Sequence, residues 1–254
     1  MTKWDFWGEK QFAEVYENIY IRALTEDWFG IVFGIVKEIK GGKILDIGCG
    51  EGHTTKQILD RLEYDYSCDL LEPNKKALSY AKTFLSPENN IGKLFTAPLS
   101  KLKTDEKYDY IFTSHTNYYW ASDEKSYQEQ LLKLTDLLKK KGKLLILTLP
   151  EESDHYNIAI KQVYPKFNYS EYISDFYKKQ GFSVKTKRYK MRMYVGDILS
   201  GKINFDLKNY YRFIHNTNTL PTATEVKKFL ANIIKHQRNN YLDFKDDLII
   251  ITKK

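Results

Sequence analysis

The chain has 254 residues, 42% of them hydrophobic and 29% charged, the balance of a globular protein rather than a disordered or fibrous one. Two cysteines, Cys49 and Cys68, are too few for a disulfide framework, and no apolar run is long enough to span a bilayer, so a cytoplasmic protein without a membrane partner is expected. The net charge of +7 is spread along the chain, and the two basic clusters, "LKKKGK" at 138–143 and "KTKRYKMR" at 185–192, read as solvated lysine-rich surface, so a nucleic-acid partner is not expected.

Residues 1–40 precede any strand and read as helices carrying an aromatic stripe, Phe12, Tyr16 and Tyr20, at i, i+4 spacing. From residue 43 strands and helices alternate. "KILDIG" is a short apolar run ending at glycine, and "HTTKQILDRL" after it is helical. Then come the strand "YDYSCDLL", the helix "NKKALSYAKTFL", a weak strand near "GKLFTA" and the buried strand "YDYIFTS". "YQEQLLKLTDLLKK" is an amphipathic helix that Gly142 is expected to stop, with the lysines of the first basic cluster opposing the negative helix end. The strand "KLLILTLP", a helix ending "DFYKKQG" and the strands "FSVKTKRYKM" and "DLIIITKK" complete the alternation, which predicts a mainly parallel, doubly wound α/β sheet. Residues 191–245 interrupt the last strand pair with helical patterns at "LKNYYRFI" and "TEVKKFLANIIKH". Together with the N-terminal helices they are expected to form a lid over the carboxyl ends of the strands, where open α/β sheets bind ligands.

The stretch with the most chemistry is "ILDIGCGEGHTT", from Ile44 to Thr55. A strand delivers the chain to Gly48, whose missing side chain permits a tight turn. Gly50 lets backbone approach a ligand, and Gly52 leads into a helix whose free N–H groups favour an anion. Dinucleotide enzymes share such turns, but the spacing here is G-x-G-x-G, and Asp46 precedes the first glycine by two residues. An acid there suits a cationic ligand end better than a pyrophosphate. At the end of the next strand, in "LLEPN", Glu72 occupies the position from which a carboxylate accepts ribose hydroxyls.

With these residues the chain resembles the class I S-adenosylmethionine-dependent methyltransferases over roughly residues 40–190 plus the last strand. The resemblance implies a Rossmann-like seven-stranded sheet whose last strand is antiparallel, with S-adenosyl-L-methionine as cofactor. It places Asp46 near the methionine end, Glu72 on the ribose, and Gly48 and Gly50 along the cofactor. Members often carry an acid near the adenine amine after the third strand; here the chain reads "TAPLSKL", so Ser100 or backbone groups would substitute. The division implied is an N-terminal helical lid at 1–40, a cofactor-binding core at 41–190 plus 246–254, and a helical insertion at 191–245 over the substrate site.

Aromatic residues make up 15% of the chain, with 20 Tyr and 14 Phe, a surplus that suits a pocket for a flat or cationic ligand. The stretch "SHTNYYW", Ser114 to Trp120, closes the fourth strand beside the transferred methyl in this class. It lacks the prolines of base amino-methyltransferases, the aspartate ligand of metal-dependent catechol enzymes and the paired glutamates of arginine methyltransferases, so no metal is expected. The resemblance is closest to the histamine N-methyltransferase group, carried by "LLEPNKKALSYAK", "YDYIFTSHTNYYW", "KLLILTLPEESDHYNIAIKQVYPKF" and "DFKDDLIIIT" in order and spacing. It implies a small-molecule amine acceptor held by Glu26 and Asp246, with Ser114 on the cofactor side. Asp246 stands where that group has asparagine, and His115 replaces its glutamine. Tyr118 and Tyr119 match a pocket tyrosine pair, Phe167 and Phe213 match pocket aromatics, and His155 and Tyr156 lie near the place of its lid tryptophans. Glu26 and His115 are the candidate catalytic groups, His115 either as a base or as a hydrogen-bonding residue. Tyr16 either lines the pocket or packs in the helix core. An RNA or protein methyltransferase, or a non-catalytic cofactor-binding module, are the alternatives. The oligomeric state is open.

Overall fold

The apolar runs become the strands of one sheet in the computed structural model, which describes residues 27–161, 167–200, 207–208, 211–212 and 219–253. Helix α1 (Asp27–Glu38) precedes β1 (Gly42–Ile47), followed by α2 (His53–Leu59), β2 (Tyr66–Leu71), α3 (Lys75–Leu85), β3 (Ile91–Phe95) and β4 (Tyr108–Ser114). Then come α4 (Glu124–Leu137), β5 (Leu138–Thr148), α5 (Ser170–Lys179), β6 (Ser183–Tyr194), the short α6 (Gly196–Leu199), α7 (Ala223–His236) and β7 (Tyr241–Thr252). The seven strands lie in the order β3-β2-β1-β4-β5-β7-β6. Neighbours are parallel from β3 to β5, and β7 runs antiparallel between β5 and β6.

Side-chain alternation along the strands sorts the core onto two faces. Ile44, Leu70, Phe112, Leu145 and Leu248 join one cluster with Ile31, Val32 and Ile35 of α1, Ile58 of α2, Leu78 of α3 and Phe229 of α7. Leu45, Leu71, Ile111, Leu144 and Ile249 join the other with Leu131 and Leu134 of α4 and Ile173 and Tyr177 of α5. The strands are apolar on both faces because both faces are covered, the condition for a doubly wound parallel sheet. Helix α3 starts where Asn74 caps it, its side chain accepting from the backbone N–H of Lys76 and Ala77, and Thr222 with Glu225 closes a capping box on α7.

One local expectation is corrected. Gly142 does not stop α4: the helix ends at Leu137, and β5 begins at once with Leu138. Between the pairs Tyr108↔Leu138 and Tyr110↔Lys143 the register shifts, so residues 139–142 form an excursion within the strand, with Lys141 at φ +63°. Lys139 pairs with Asp109 at 2.7 Å instead of facing a helix end. Helical propensity in "LLKK" yields here to strand pairing, because Gly142 lies against the carbonyls of Tyr108 and Asp109, where any Cβ would press.

The last two strands are longer than their apolar cores. Pairing of β7 with β5 stops at Thr148↔Asp247, but pairing with β6 continues from Tyr189↔Asp246 to Tyr194↔Tyr241. This two-stranded arm reaches on the order of 20 Å past the carboxyl end of β5 at ~3.4 Å per residue. Where β5 no longer lies alongside, the turn after it supplies acceptors: Ser153 Oγ accepts from the N–H of Lys245 and Asp154 Oδ2 from that of Asp243. Of the expected helical pattern "LKNYYRFI", residues 209–210 and 213–214 lie outside the described residues.

Candidate active site

The strand order reverses between β1 and β4, and the crevice at their carboxyl ends is the ligand position of an open α/β sheet. The glycine turn sits there. Gly48 donates its N–H to the carbonyl of Leu71 at 2.7 Å, tying the end of β1 to the end of β2. It holds φ +74°, and an added Cβ would run into the side chain of Thr116 from the loop after β4. Thr116 Oγ1 in turn bonds Thr113 Oγ1 at 2.5 Å and donates to the carbonyl of Ile47 at 3.3 Å, closing the crevice floor. Gly48→Ala is expected to cost about 2 kcal/mol or more in stability from backbone strain plus displacement of Thr116; an unchanged urea midpoint would refute that packing. Gly50, at φ +54°, has nothing within 4 Å of the point a Cβ would occupy, so its backbone faces open space where a ligand can lie against it.

Both acids are buried in this turn. Asp46 accepts from Thr55 Oγ1 at 2.5 Å. Glu72 is 8% exposed, and its two oxygens accept from the N–H of Gly50 at 3.0 Å and of Asn74 at 2.9 Å. It is therefore no solvated charge before a helix but a carboxylate locked across the glycine turn. Burial raises the pKa of Glu72 from 4.5 to about 7, with the N–H groups of Asn74 and Gly50 pulling it down. Burial likewise raises Asp46 from 3.8 to about 7, opposed by Thr55 and reinforced by the charge on Glu72.

These shifts make stability depend on pH. In the unfolded chain the two acids ionise near their ordinary pKa values, while the fold holds the protons up to about pH 7. Their contribution is greatest in acid, falls as pH rises from the unfolded to the folded pKa, and is constant above. Glu72→Gln is therefore expected to gain most over wild type at pH 8 and progressively less towards pH 5, a change on the order of 2–3 kcal/mol. Thermal melts of both proteins across that range check it; a pH-independent difference would refute the buried ionisation.

The fourth strand delivers the second group. Ser114, half-buried, ends β4, and His115 follows at φ +53° with its N–H donated to the carbonyl of Leu147. A non-glycine residue in that region is strained, and such strain gathers at functional sites. The ring of His115 lies between Tyr118 Oη, 3.3 Å from Nδ1, and Asp246 Oδ2, 3.2 Å from Nε2. Asp246 comes from β7, at the first β6–β7 pair beyond the end of β5. Tyr118 is buried and held by the N–H of Leu149 and the hydroxyl of Thr148, and burial pushes its phenol well above the ordinary tyrosine range. Tyr119 packs edge-on to Tyr118 with ring centroids 6.2 Å apart.

Other expected site residues lie elsewhere. Phe167 packs on Tyr127 and Tyr172 with the cluster on the opposite face of the sheet. Asn117 and Trp120 also turn inward: Asn117 Nδ2 donates to Tyr127 Oη and to the carbonyl of Asn168, and Trp120 stacks on Tyr127. Ser100 sits exposed in the single turn Leu99–Lys101 beyond β3, and its carbonyl, like those of Leu99 and Leu102, accepts from Lys133 Nζ. Tyr16, Glu26 and Phe213 lie outside the described residues. Nothing in the sequence singles out Thr55, Thr116, Thr148 or Asn74; only their places one turn after a glycine, or at the end of a strand, hint at them. His155 stacks on Phe244 at 4.9 Å, and burial lowers its pKa to about 3, with His115 adding to the effect. Among the described residues no group of three or more His, Cys, Asp or Glu could hold a metal ion, and no helix is long and apolar enough to cross a membrane.

A sheet in this order, with the antiparallel seventh strand inserted beside β5 and a glycine turn at the β1–β4 crevice, defines the class I S-adenosylmethionine-dependent methyltransferase fold. The family model for the methyltransferase domain matches residues 44–142, which contain the turn, Glu72 and the fourth strand. Over those residues the chain carries a methyltransferase domain, and S-adenosyl-L-methionine is the cofactor that this domain and fold imply. Solved structures share the fold at low identity. The YcgJ protein from Bacillus subtilis is 15% identical with TM-score 0.58, the match covering 88% of this chain and 97% of that one. Magnesium protoporphyrin IX methyltransferase from Synechocystis PCC 6803, with bound S-adenosylmethionine, is 13% identical with TM-score 0.57, covering 100% of this chain and 98% of that one. The N-methyltransferase NodS from Bradyrhizobium japonicum WM9, with S-adenosyl-L-homocysteine, is 10% identical with TM-score 0.54, covering 96% and 99%. No curated protein matches the chain.

Proposed function

We propose that the protein methylates the nitrogen of a small amine that binds as a cation, a reading in line with the resemblance to the histamine N-methyltransferase group. One observation carries it. Asp246 is 3% exposed, and among the described residues its one hydrogen-bond or ion-pair partner is His115. Its neighbour Asp247, equally buried, is neutralised by Arg188 through two bonds of 2.8 Å. Buried carboxylates are ordinarily paired, and of these two adjacent aspartates the one without a lysine or arginine stands at the strand end where the acceptor would lie. An ammonium supplied by the acceptor would complete it.

On the cofactor side the residues fit the group: Gly50 leaves open space against backbone, and Glu72 spans the turn as a hydroxyl acceptor. In this reading Glu72 holds the ribose, Asp46 and Ser114 flank the methionine end, and Ser100 borders the adenine. The bound cofactor supplies a methyl group on a positively charged sulfur. The chain's part is to hold the nitrogen in line, since alignment alone contributes up to about 7–11 kcal/mol in the best cases. His115, Tyr118 and Asp246 orient the acceptor, with Glu26, Tyr16, Tyr119 and Phe213 as further proposed contacts. The nitrogen must shed a proton to expose its lone pair, and the carboxylate of Asp246, held by His115, is placed to accept it. Aromatic faces add about 0.5–2 kcal/mol of attraction for the cation.

The test is a library of amines, alcohols and thiols incubated with enzyme and cofactor, alongside total RNA and protein, read by mass spectrometry for the gain of one methyl group. Methylation of primary or secondary amines is expected. Label found only in RNA or protein, or on uncharged acceptors, would overturn the reading.

A further inference from the structure

His115 has both ring nitrogens engaged, and the pattern of donors around Tyr118 decides which one carries the proton. The backbone N–H of Leu149 donates to Tyr118 Oη at 3.0 Å, and the hydroxyl of Thr148 donates to the same oxygen at 3.1 Å. Two donors occupy both lone pairs of a phenol oxygen, so its own proton remains for His115 Nδ1, 3.3 Å away. A nitrogen that accepts carries no proton. That pattern points to a ring proton on Nε2, shared with Asp246 Oδ2 at 3.2 Å.

We propose that Thr148, acting through Tyr118, is a positioning residue that locks His115 in its neutral Nε2–H form, so that Asp246 keeps an uncompensated negative charge for a cationic acceptor, and that protonation of His115 releases that acceptor. The acceptor half of this inference rests on the amine reading above. With His115 neutral the pair carries one negative charge; with His115 protonated it carries none, and attraction for a cation is lost. Protonation at Nδ1 is opposed because that position would then face the O–H of Tyr118, donor against donor.

The groups facing His115 come from three elements: Asp246 from β7, Tyr118 from its own turn, and His155 from the helical turn after β5. His155, buried against Phe244, stays neutral down to about pH 3 and does not compete for the switch. Among the described residues no lysine or arginine pairs with Asp246 to blur the charge arithmetic. Thr148 is itself fully buried at the end of β5, where a hydroxyl needs a partner and finds it in Tyr118.

The experiment has two arms on the full chain. In the first, nitrogen-15 histidine spectra are recorded from pH 5 to 8.5 for wild type, Thr148→Val and Thr148→Ser, with His115→Gln assigning the signal. Wild type is expected to show the neutral Nε2–H form. Thr148→Val frees a lone pair on Tyr118 to accept from Nδ1, so protonated His115 should persist to higher pH than in wild type, while Thr148→Ser behaves as wild type. Should Thr148→Val not fold, Tyr118→Phe removes the opposing O–H and is expected to give the same upward movement. An Nδ1–H form in wild type, or an unmoved midpoint in both variants, overturns the lock.

In the second arm, KM is measured over the same pH range for the primary amine that gains methyl fastest in the screen. KM should rise ~10-fold on the acid side of the His115 midpoint, and the rise should move with that midpoint in Thr148→Val. A moved midpoint with an unmoved KM profile overturns the acceptor switch. Absence of any amine substrate, with the spectra as expected, would instead count against the amine reading and against the switch built on it, and would leave the tautomer lock standing.

Discussion

Glu72→Ala is expected to weaken S-adenosylmethionine binding by about a thousandfold. Hydrogen bonds to a charged acceptor are worth ~1.5–3 kcal/mol each, and two ribose hydroxyls meeting one carboxylate would lose both. The effect is not merely loss of a charge. Glu72 joins the glycine turn to the start of α3 by accepting from Gly50 and Asn74, so truncation also leaves two backbone donors without their acceptor. Glu72→Gln separates the two consequences: the amide keeps one oxygen on the turn but presents an NH₂ where the hydroxyls need an acceptor. Calorimetry with cofactor should therefore find both variants impaired, while thermal melts show the glutamine variant intact and more stable than wild type at pH 8. Unchanged affinity in Glu72→Ala would mean that Glu72 only braces the turn. If the expected pattern holds, wild type carries a buried carboxylate whose ionisation costs stability, retained because binding needs the charge.

The second large effect concerns the base of the β6–β7 arm. Arg188 and Asp247 are cross-strand partners in the β6–β7 register. Their bidentate pair is joined by Ser170 on Asp247 and by Glu171 and Glu152 on Arg188, with Lys245 also paired to Glu152 at 2.7 Å. Asp247 has its side chain 1% exposed, and Arg188 is 35% exposed. Removing the partner of a buried charge costs ~3–5 kcal/mol; the half-open Arg188 places Arg188→Met at the lower end, about 3 kcal/mol. The double variant Arg188→Met with Asp247→Asn should recover most of that loss, because no charge is then left buried. Urea unfolding of the single and double variants measures both. A double variant no more stable than the single one would show that Arg188 acts through packing instead.

Adjacent residues 246 and 247 show what can and cannot be read in advance. Both are aspartates, and strand alternation alone places them on opposite faces of β7. That one is neutralised by Arg188 and the other meets only His115 depends on which residues β6 and the β4 loop bring to each face. The aromatic loop after β4 divides in the same manner. His115, Tyr118 and Tyr119 stay on the crevice side, while Asn117 and Trp120 pack against Tyr127. A sequence shows seven chemically rich residues in a row; the 3-10 turn at Asn117–Tyr119 sends Asn117 and Trp120, three positions apart, to one side, and leaves His115, Tyr118 and Tyr119 on the other. Resemblance puts Phe167 among the pocket rings, yet it packs with Tyr127 and Tyr172, because residues 167–169 lead into α5 on the far face of the sheet.

The sequence by itself determined the parts governed by short-range rules. Alternating apolar runs dictate a parallel doubly wound sheet, three glycines after a buried strand dictate a tight turn into a helix, and an acid at the next strand end dictates a polar group beside that turn. Each depends on residues a few positions apart, where backbone geometry and periodicity are nearly sufficient. Tertiary structure alone decided the burial that brings Asp46 and Glu72 close to neutrality, the excursion at residues 139–142, the reach of the β6–β7 arm, and the donor chain from Thr148 through Tyr118 and His115 to Asp246. Those features join residues up to 131 positions apart. Desolvation and long-range pairing act on neighbours in space, and that neighbourhood exists only once the sheet has closed.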